Sequence, residues 1–193
     1  MRLFVALDFP DAVRRALREL IARLKPESAG ARWVRPEGMH VTLKFLGETA
    51  EDKPASLQAA LSKIHLLEPV QMQFRGLGFF PSERRPRVIW CGVEAGPILA
   101  ALASAVESAL EPLGFPRETR AFTPHLTLAR FNSPENLGTL VRAAEHLKSY
   151  DFGSAAESEF HLFQSMLKPS GAEYKRLATF PFVQKEQSAE GAQ

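Results

Sequence analysis

The chain has 193 residues, of which 45% are hydrophobic and 24% are charged, and its formal net charge at pH 7 is +2. This composition is typical of a folded globular protein and excludes a chain that is mainly disordered. So small a charge does not by itself indicate a protein that coats nucleic acid, although positive side chains could still be gathered on one surface. The single cysteine, Cys91, excludes both a disulfide framework and a cysteine-rich zinc site.

The first predicted element is a short buried strand at the N-terminus. Residues 3–7 are apolar, and this run stops at Asp8. The run is too short for the hydrophobic region of a signal peptide and far too short to span a membrane. We therefore expect a cytoplasmic protein.

From this strand onward, one order of elements occurs twice, at an interval of about 85 residues. A strand is followed by an amphipathic helix, a short polar strand, a second helix and a further strand. The apolar strands fall at 3–7 in the first half and at 88–93 in the second, the alternating strand-like segments fall at 71–80 and 159–167, and a last apolar stretch lies at 178–183. The apolar helix positions are Val13, Leu17, Leu20, Ile21, Leu24, Leu57, Leu61 and Ile64, then Ile98, Leu102, Val106, Leu110, Leu137, Val141 and Ala144.

Proline and glycine mark the predicted helix ends. Pro10-Asp11, Pro54 and Ser133-Pro134 stand where helices should begin, because proline is well tolerated in the first helical turn. Gly114 follows the predicted end of the third helix. Residues 184–193 are polar and lack large apolar side chains, so we expect a loose C-terminal tail.

The two short polar strands carry the same tetrad, His-Val-Thr-Leu at 40–43 and His-Leu-Thr-Leu at 125–128. Since side chains alternate along a strand, each histidine shares a face with the threonine two residues later. We estimate the chance of two such apolar-flanked triplets at about 0.1%. Phe4 and Ile89 each stand 36 residues before their histidine, so the two halves align in this register. A pair of histidines suits acid–base catalysis near neutral pH.

The repeat predicts a duplicated α+β fold with two lobes related by an approximate two-fold axis. Two mixed or antiparallel sheets would line a central cleft, with the helices outside. We expect one domain over residues 1–183, made of two closely packed repeats at about 1–86 and 87–183. No apolar stripe is left without a core to bury it, so we expect a monomer.

The residues around the tetrads resemble those of the 2H phosphoesterases, a family named for two His-x-Thr/Ser-x motifs in one duplicated chain. The resemblance is closest to the bacterial RNA 2′,3′-cyclic phosphodiesterases, also called 2′-5′ RNA ligases. It covers about residues 1–183. The matching segments are 2–7, 33–34, 40–47 and 122–130, together with Ser165 and residues 171–174.

This resemblance implies hydrolysis of RNA or nucleotide 2′,3′-cyclic phosphate ends to a 2′-phosphomonoester. Water attacks phosphorus in line with the departing 3′ oxygen, so one histidine is expected on each side. The resemblance assigns His125 as the proton acceptor and His40 as the proton donor. The hydroxyls of Thr42 and Thr127 would then donate hydrogen bonds to the phosphate. We expect neither a metal nor another cofactor, because the chain supplies both acid and base.

Three further residues are candidates for binding the substrate. Arg130 could hold a phosphate through its guanidinium, although strict alternation from His125 would place it on the opposite face unless the strand bends or ends. Phe45 and Phe122 could stack on a nucleobase, but core packing is the use that we expect first for each.

Two alternatives to hydrolysis stay open at this stage. A 5′-hydroxyl RNA end could replace water and be joined to the cyclic phosphate without ATP, which is the same in-line chemistry. The basic excess would also suit a module that binds RNA without catalysis, whose binding would depend on salt but on neither histidine.

Overall fold

Two β-sheets with helices packed against them form this computed structural model, which describes residues 1–28, 30–133, 136–168 and 171–182. The tail expected at 184–193 lies outside these residues. The helices are α1 (Asp11–Leu24), α2 (Lys53–Leu61), α3 (Pro97–Leu110) and α4 (Gly138–Glu145), and short 3-10 turns cover Lys25–Glu27, Pro36–Gly38 and Glu111–Leu113. The strands are β1 (Arg2–Leu7), β2 (Arg32–Trp33), β3 (Val41–Glu48), β4 (Val70–Phe80), β5 (Val88–Ala95), β6 (His125–Arg130), β7 (Asp151–Glu157), β8 (Glu159–Lys168) and β9 (Gly171–Pro181).

The strands form one sheet in the order β3-β1-β8-β9 and another in the order β2-β6-β5-β4-β7. We call them the His40 sheet and the His125 sheet, after the tetrad that each contains. All strand pairs among the described residues are antiparallel, so the α+β fold with two sheets is confirmed in its antiparallel form.

The two sheets exchange strands between the halves of the sequence. β4, from the first half, pairs with β5 in the His125 sheet, while β8, from the second half, pairs with β1 in the His40 sheet. Each sheet is therefore built from both halves of the chain. This exchange ties the lobes together, since neither sheet is complete without a strand from the other half.

The helices begin and end largely where the sequence predicts. α1 starts at Asp11 directly after Pro10, Pro54 stands in the first turn of α2, and Gly114 ends the turn after α3 in the left-handed conformation, with φ 92°. α4 begins at Gly138, so the start predicted at Ser133-Pro134 is too early; Pro134 itself lies outside the described residues. No helix among the described residues has both the length and the apolarity needed to cross a membrane.

Two edge strands differ from the prediction. β7 was not expected, because glycine, serine and alanine dominate its sequence and give little strand signal. β9 starts at Gly171, well before the apolar stretch predicted at 178–183, because its first residues are polar, as is usual at an exposed sheet edge.

α3 covers the back of the His40 sheet at β3. Lys44 of β3 is buried there, and its Nζ lies 2.8 Å from Oε1 of Glu107 in α3 and donates to the carbonyl of Pro116 at 2.8 Å. These bonds compensate the burial of the charge and hold the motif strand against the helix. Lys44 thus points away from the face that carries His40. Cys91 is likewise a core residue, and burial raises the pKa of its thiol to about 12.

Candidate active site

The two motif histidines are held by the same hydrogen bond. Nδ1 of His40 lies 3.1 Å from the carbonyl of Gly38, and Nδ1 of His125 lies 2.8 Å from the carbonyl of Thr123. A carbonyl only accepts, so each Nδ1 carries a hydrogen and each Nε2 is the atom that takes up or releases a proton. Neither Nε2 has a hydrogen-bond partner within the described part of the chain.

Each histidine ring packs against a phenylalanine from an exchanged strand. The ring centroid of His40 lies 4.3 Å from that of Phe163 in β8, and His125 lies 5.1 Å from Phe80 in β4. The registers make these two phenylalanines equivalent: Phe163 is opposite Phe4 of β1, and Phe80 is opposite Val88 of β5. Because of the strand exchange, the phenylalanine that packs against each histidine comes from the other half of the chain.

The two motif strands lie close together, and we call the region between the faces that carry the two tetrads the cleft. β3 and β6 approach within 8 Å between Cα atoms although they belong to different sheets. Tyr174 of β9 packs edge-on against His40, with centroids 5.4 Å apart, and burial raises its pKa against an opposing effect of the charge of Arg130 in β6. Arg130 of the His125 sheet thus lies close to the surroundings of His40.

A β-bulge at the same point in both motif strands determines which side chains reach the cleft. Pairing with β1 shifts by one residue at Leu43, and pairing with β5 shifts by one at Leu128. An extra residue in one strand reverses the alternation beyond it. Phe45 and Arg130, each five residues after its histidine, therefore return to the histidine face. Strict alternation, which would have placed Arg130 on the opposite face, is wrong for this strand.

The two motif threonines occupy equivalent positions. Thr42 is opposite Ala6 of β1, Thr127 is opposite Trp90 of β5, and both threonines are half-buried. Neither hydroxyl makes a hydrogen bond to another described residue. Both are therefore available to a ligand on the face that carries the histidines.

The remaining candidate binding residues differ in exposure. Phe45 is 66% exposed and lies 6.1 Å from the ring of Phe4, so core packing is wrong for this residue. Phe122 is half-buried and packs against the core before the second motif. Arg130 is exposed, and directly opposite it stands Arg32 of β2, also exposed, which sequence reasoning missed. Two arginines at adjacent positions repel each other, which favours a negatively charged ligand.

Burial of its ring makes His40 different from a free histidine. Burial lowers the pKa of His40 to about 4, against an opposing effect of the Asp8 carboxylate. His161, which lies opposite Ala6 in β8, is also buried, and burial lowers its pKa. In the free protein, His40 is therefore neutral at pH 7.

The indole ring of Trp90 lies beside His125, and its position requires a glycine at residue 78. Trp90 lies 6.4 Å from His125, and a Cβ atom built on Gly78 would be only 2.2 Å from the Trp90 ring. The buried Nε1 of Trp90 has no hydrogen-bond partner among the described residues. Sequence reasoning missed Trp90, Phe80, Phe163 and Tyr174 as neighbours of the histidines, because only the strand register brings them there.

Known proteins share this architecture over most of the chain. A family model described as LigT-like phosphoesterase matches residues 7–90 and 93–174. An RNA 2′,3′-cyclic phosphodiesterase of Archaeoglobus fulgidus is 39% identical over 182 residues, which cover 93% of this chain and 99% of that relative. A solved structure from Thermus thermophilus matches with a TM-score of 0.78 and 33% identity, covering 94% and 98% of the two chains. E. coli LigT complexed with 3′-AMP matches with a TM-score of 0.77 and 26% identity, covering 95% and 98%.

Proposed function

Because the chain belongs to the family of LigT-like phosphoesterases, we propose that it hydrolyses the 2′,3′-cyclic phosphate ends of RNA to 2′-phosphomonoesters. The observation that carries this proposal is the repeated arrangement of His40 and His125, each with Nδ1 on a carbonyl two residues earlier and Nε2 without a partner among the described residues. The relative from Archaeoglobus fulgidus is named for this activity.

In the proposed reaction, water attacks phosphorus while the bond from phosphorus to the 3′ oxygen breaks. His125, neutral, takes the proton of the attacking water at Nε2. His40, protonated, gives the proton of its Nε2 to the departing 3′ oxygen. Each transfer contributes roughly 10²–10⁴-fold to the rate. The chain thus supplies both proton transfers, and the proposed mechanism uses no metal or other cofactor.

The surroundings of His40 link its protonation to substrate binding. Its pKa of about 4 leaves the ring neutral before the substrate enters. A cyclic phosphate carries a negative charge, and a negative charge within a few ångströms favours the charged form of an imidazole. We therefore expect the bound substrate to raise the pKa of His40 and so to create the proton donor that it needs.

Other residues of the cleft would bind the rest of the substrate. The hydroxyls of Thr42 and Thr127 would donate to the non-bridging phosphate oxygens, whose charge grows in the transition state. Arg130, returned to this face by the bulge at Leu128, would add a charge-assisted hydrogen bond. Phe45, exposed on the face that carries His40, would stack on the terminal base, whereas Phe122 would support the second motif more than the ligand.

The proposed substrate is RNA or a nucleotide with a cyclic phosphate end. The exposed pair Arg32 and Arg130 suits a polyanion of this kind. Both sheets that border the cleft come from one chain, which supports a monomer as the acting unit. We place this activity in the cytoplasm, where RNA is available to the enzyme.

Incubation with adenosine 2′,3′-cyclic phosphate and analysis of the product by ³¹P NMR tests the proposal. We expect adenosine 2′-phosphate from the wild type and a kcat lower by about 10²–10⁴-fold in His40→Ala and His125→Ala. His65→Ala, which removes an exposed histidine outside the cleft, is the matched control. Wild-type turnover in either motif variant would refute the mechanism.

The same assay separates the two alternatives. Added 5′-hydroxyl RNA would yield a joined product if ligation dominates. Binding that depends on salt, without turnover and without an effect of either histidine, would instead indicate an RNA-binding module.

A further inference from the structure

A buried arginine of α1 is bonded to the backbone directly before His40. The side chain of Arg14 is only 10% exposed. Its Nη1 donates to the carbonyl of Pro36 at 2.6 Å and to the carbonyl of Met39 at 3.2 Å. These carbonyls lie on either side of Gly38, whose own carbonyl accepts the hydrogen bond from His40. The guanidinium therefore clamps the segment that orients the ring.

Asp8, at the end of β1, holds Arg14 in this position. Oδ1 of Asp8 accepts from Nη2 of Arg14, and the guanidinium lies over the ring of Phe9, 4.3 Å from its centroid. Oδ2 of Asp8 accepts from Arg176 of β9 at 2.9 Å. A buried guanidinium needs a counter-charge and acceptors, and here Asp8 supplies the carboxylate while Pro36 and Met39 supply two carbonyl acceptors.

Arg176 extends this network to a phenylalanine ring that packs against His40. Its guanidinium carbon lies 5.8 Å from the centroid of Phe163, the ring that packs against His40. Asp8 thus joins the clamp on the backbone before His40 to the residues behind the imidazole.

The second motif has no such clamp among the described residues. α3, the counterpart of α1, contains neither arginine nor lysine. The carbonyl of Pro124, just before His125, accepts instead from the backbone N–H of Val93 at 3.3 Å, an extension of the sheet pairing. The duplicated motifs therefore hold their histidines by different means.

We propose that Arg14 is a positioning residue for His40 and that Asp8 anchors it, so that the donor histidine is fixed by a side-chain clamp. The catalytic part of this inference rests on the proposed function. The effect of Arg14 passes through the backbone of residues 36–39, and the guanidinium itself touches neither the imidazole nor the substrate.

Arg14→Met tests the proposal, with Arg18→Met as the matched control. Arg18 lies one turn further along α1 and pairs with the side chain of Glu37 in the same segment, but it is exposed and bonds to none of the carbonyls. We expect Arg14→Met to lower kcat by about 10–100-fold with KM changed less than about threefold. Arg18→Met should leave both constants near those of the wild type, and Arg14→Lys should restore part of the lost kcat.

A second readout requires no turnover. ¹⁵N NMR of the His40 ring reports which nitrogen carries the proton. The charged and titratable groups around this ring are Asp8 directly after β1, Arg14 of α1, His161 of β8, and Tyr174 and Arg176 of β9. We expect a single Nδ1–H tautomer in the wild type and in Arg14→Lys, and a mixture of tautomers in Arg14→Met.

Asp8→Asn keeps the proposal testable if Arg14→Met does not fold. The amide removes the negative charge that anchors Arg14 and should also produce mixed tautomers at His40. A single Nδ1–H tautomer in a folded Arg14→Met or Asp8→Asn protein would overturn the proposal. A wild type without hydrolytic activity would refute the proposed function, while the NMR result would still decide whether Arg14 positions the ring.

Discussion

At the scale of single residues, His40 and His125 make the same hydrogen bond but meet different surroundings. His40 lies against Phe163 and Tyr174 and close to Asp8, Arg14 and His161, whereas His125 lies against Phe80 and Trp90. The same chemical group can act as donor or acceptor according to its neighbours. The proposed unequal roles therefore depend on the residues around the tetrads, which the sequence repeat does not contain.

A cyclic substrate with sulfur in place of the 3′ oxygen tests these roles. A thiol ionises with a pKa of about 8.5, so a thiolate leaves without receiving a proton. We expect His40→Ala to cleave this substrate within about tenfold of the wild-type rate, while His125→Ala stays slower by about 10²–10⁴-fold. Rescue of His125→Ala instead would mean that the two histidines exchange roles.

At the scale of elements, the cleft depends on pairs of small and large residues in neighbouring strands. Ala6 of β1 is opposite His161 of β8, and Trp90 of β5 is opposite Gly78 of β4. In each sheet a small residue stands opposite a large ring. In the His40 sheet the small residue lies on β1, whereas in the His125 sheet the equivalent strand β5 carries the large ring. The equivalence of the two halves thus holds for the strand pairing and for the tetrads, but it does not hold for these two side-chain pairs.

Gly78→Ala should disturb the His125 side of the cleft. The new Cβ would lie 2.2 Å from the Trp90 ring, so the indole must move, and its edge contact with His125 would change. We expect a loss of about 1–3 kcal/mol in the free energy of unfolding, as for other overpacked sites, and a lower kcat. Thermal unfolding and turnover of the cyclic mononucleotide measure both effects.

Gly138→Ala is the control for this substitution, because its nearest contact would be an ordinary 3.6 Å to the side chain of Arg142. If Gly78→Ala behaves like Gly138→Ala in both measurements, the space above Gly78 is unimportant and this account of Trp90 is wrong.

The elements also show which parts of the site could be predicted from the sequence. Periodicity predicted most strands and helices, because burial of one face leaves a local pattern. The bulges at Leu43 and Leu128 and the exchange of β4 and β8 depend on pairing between distant segments, which no local pattern records. The alignment of the two halves also differs by one residue from the predicted register. Ile89 is opposite Ala129 and Val5 is opposite Lys44, and both partners stand four residues after their histidine. The counterpart of Ile89 is therefore Val5 and not Phe4.

At the scale of the whole molecule, the buried histidines connect stability to pH. The pKa of His40 is about 4 in the folded protein, against an ordinary value of 6.5. Burial lowers the pKa of His161 in the same direction. Between pH 4 and pH 6.5 the unfolded chain binds more protons than the folded one. The contribution of His40 to stability is therefore present above about pH 6.5 and is lost as the pH falls toward 4.

The expected loss attributable to His40 is about 1–3 kcal/mol between pH 7 and pH 4, allowing for its partial exposure. His40→Asn, which cannot take up a proton in this range, should flatten the dependence of the free energy of unfolding on pH. Urea unfolding at several pH values measures this slope, and His65→Asn serves as the exposed control. An unchanged slope in His40→Asn would show that the folded protein does not keep this ring neutral.

The most direct test of the account is a crystal structure with adenosine 2′-phosphate bound. We predict that Nε2 of His40 and Nε2 of His125 both lie about 2.6–3.2 Å from oxygen atoms of the same phosphate, on opposite sides of phosphorus. A phosphate that contacts only one of the two rings, or that binds away from both, would contradict the proposal that the duplicated tetrads act on a single phosphorus atom.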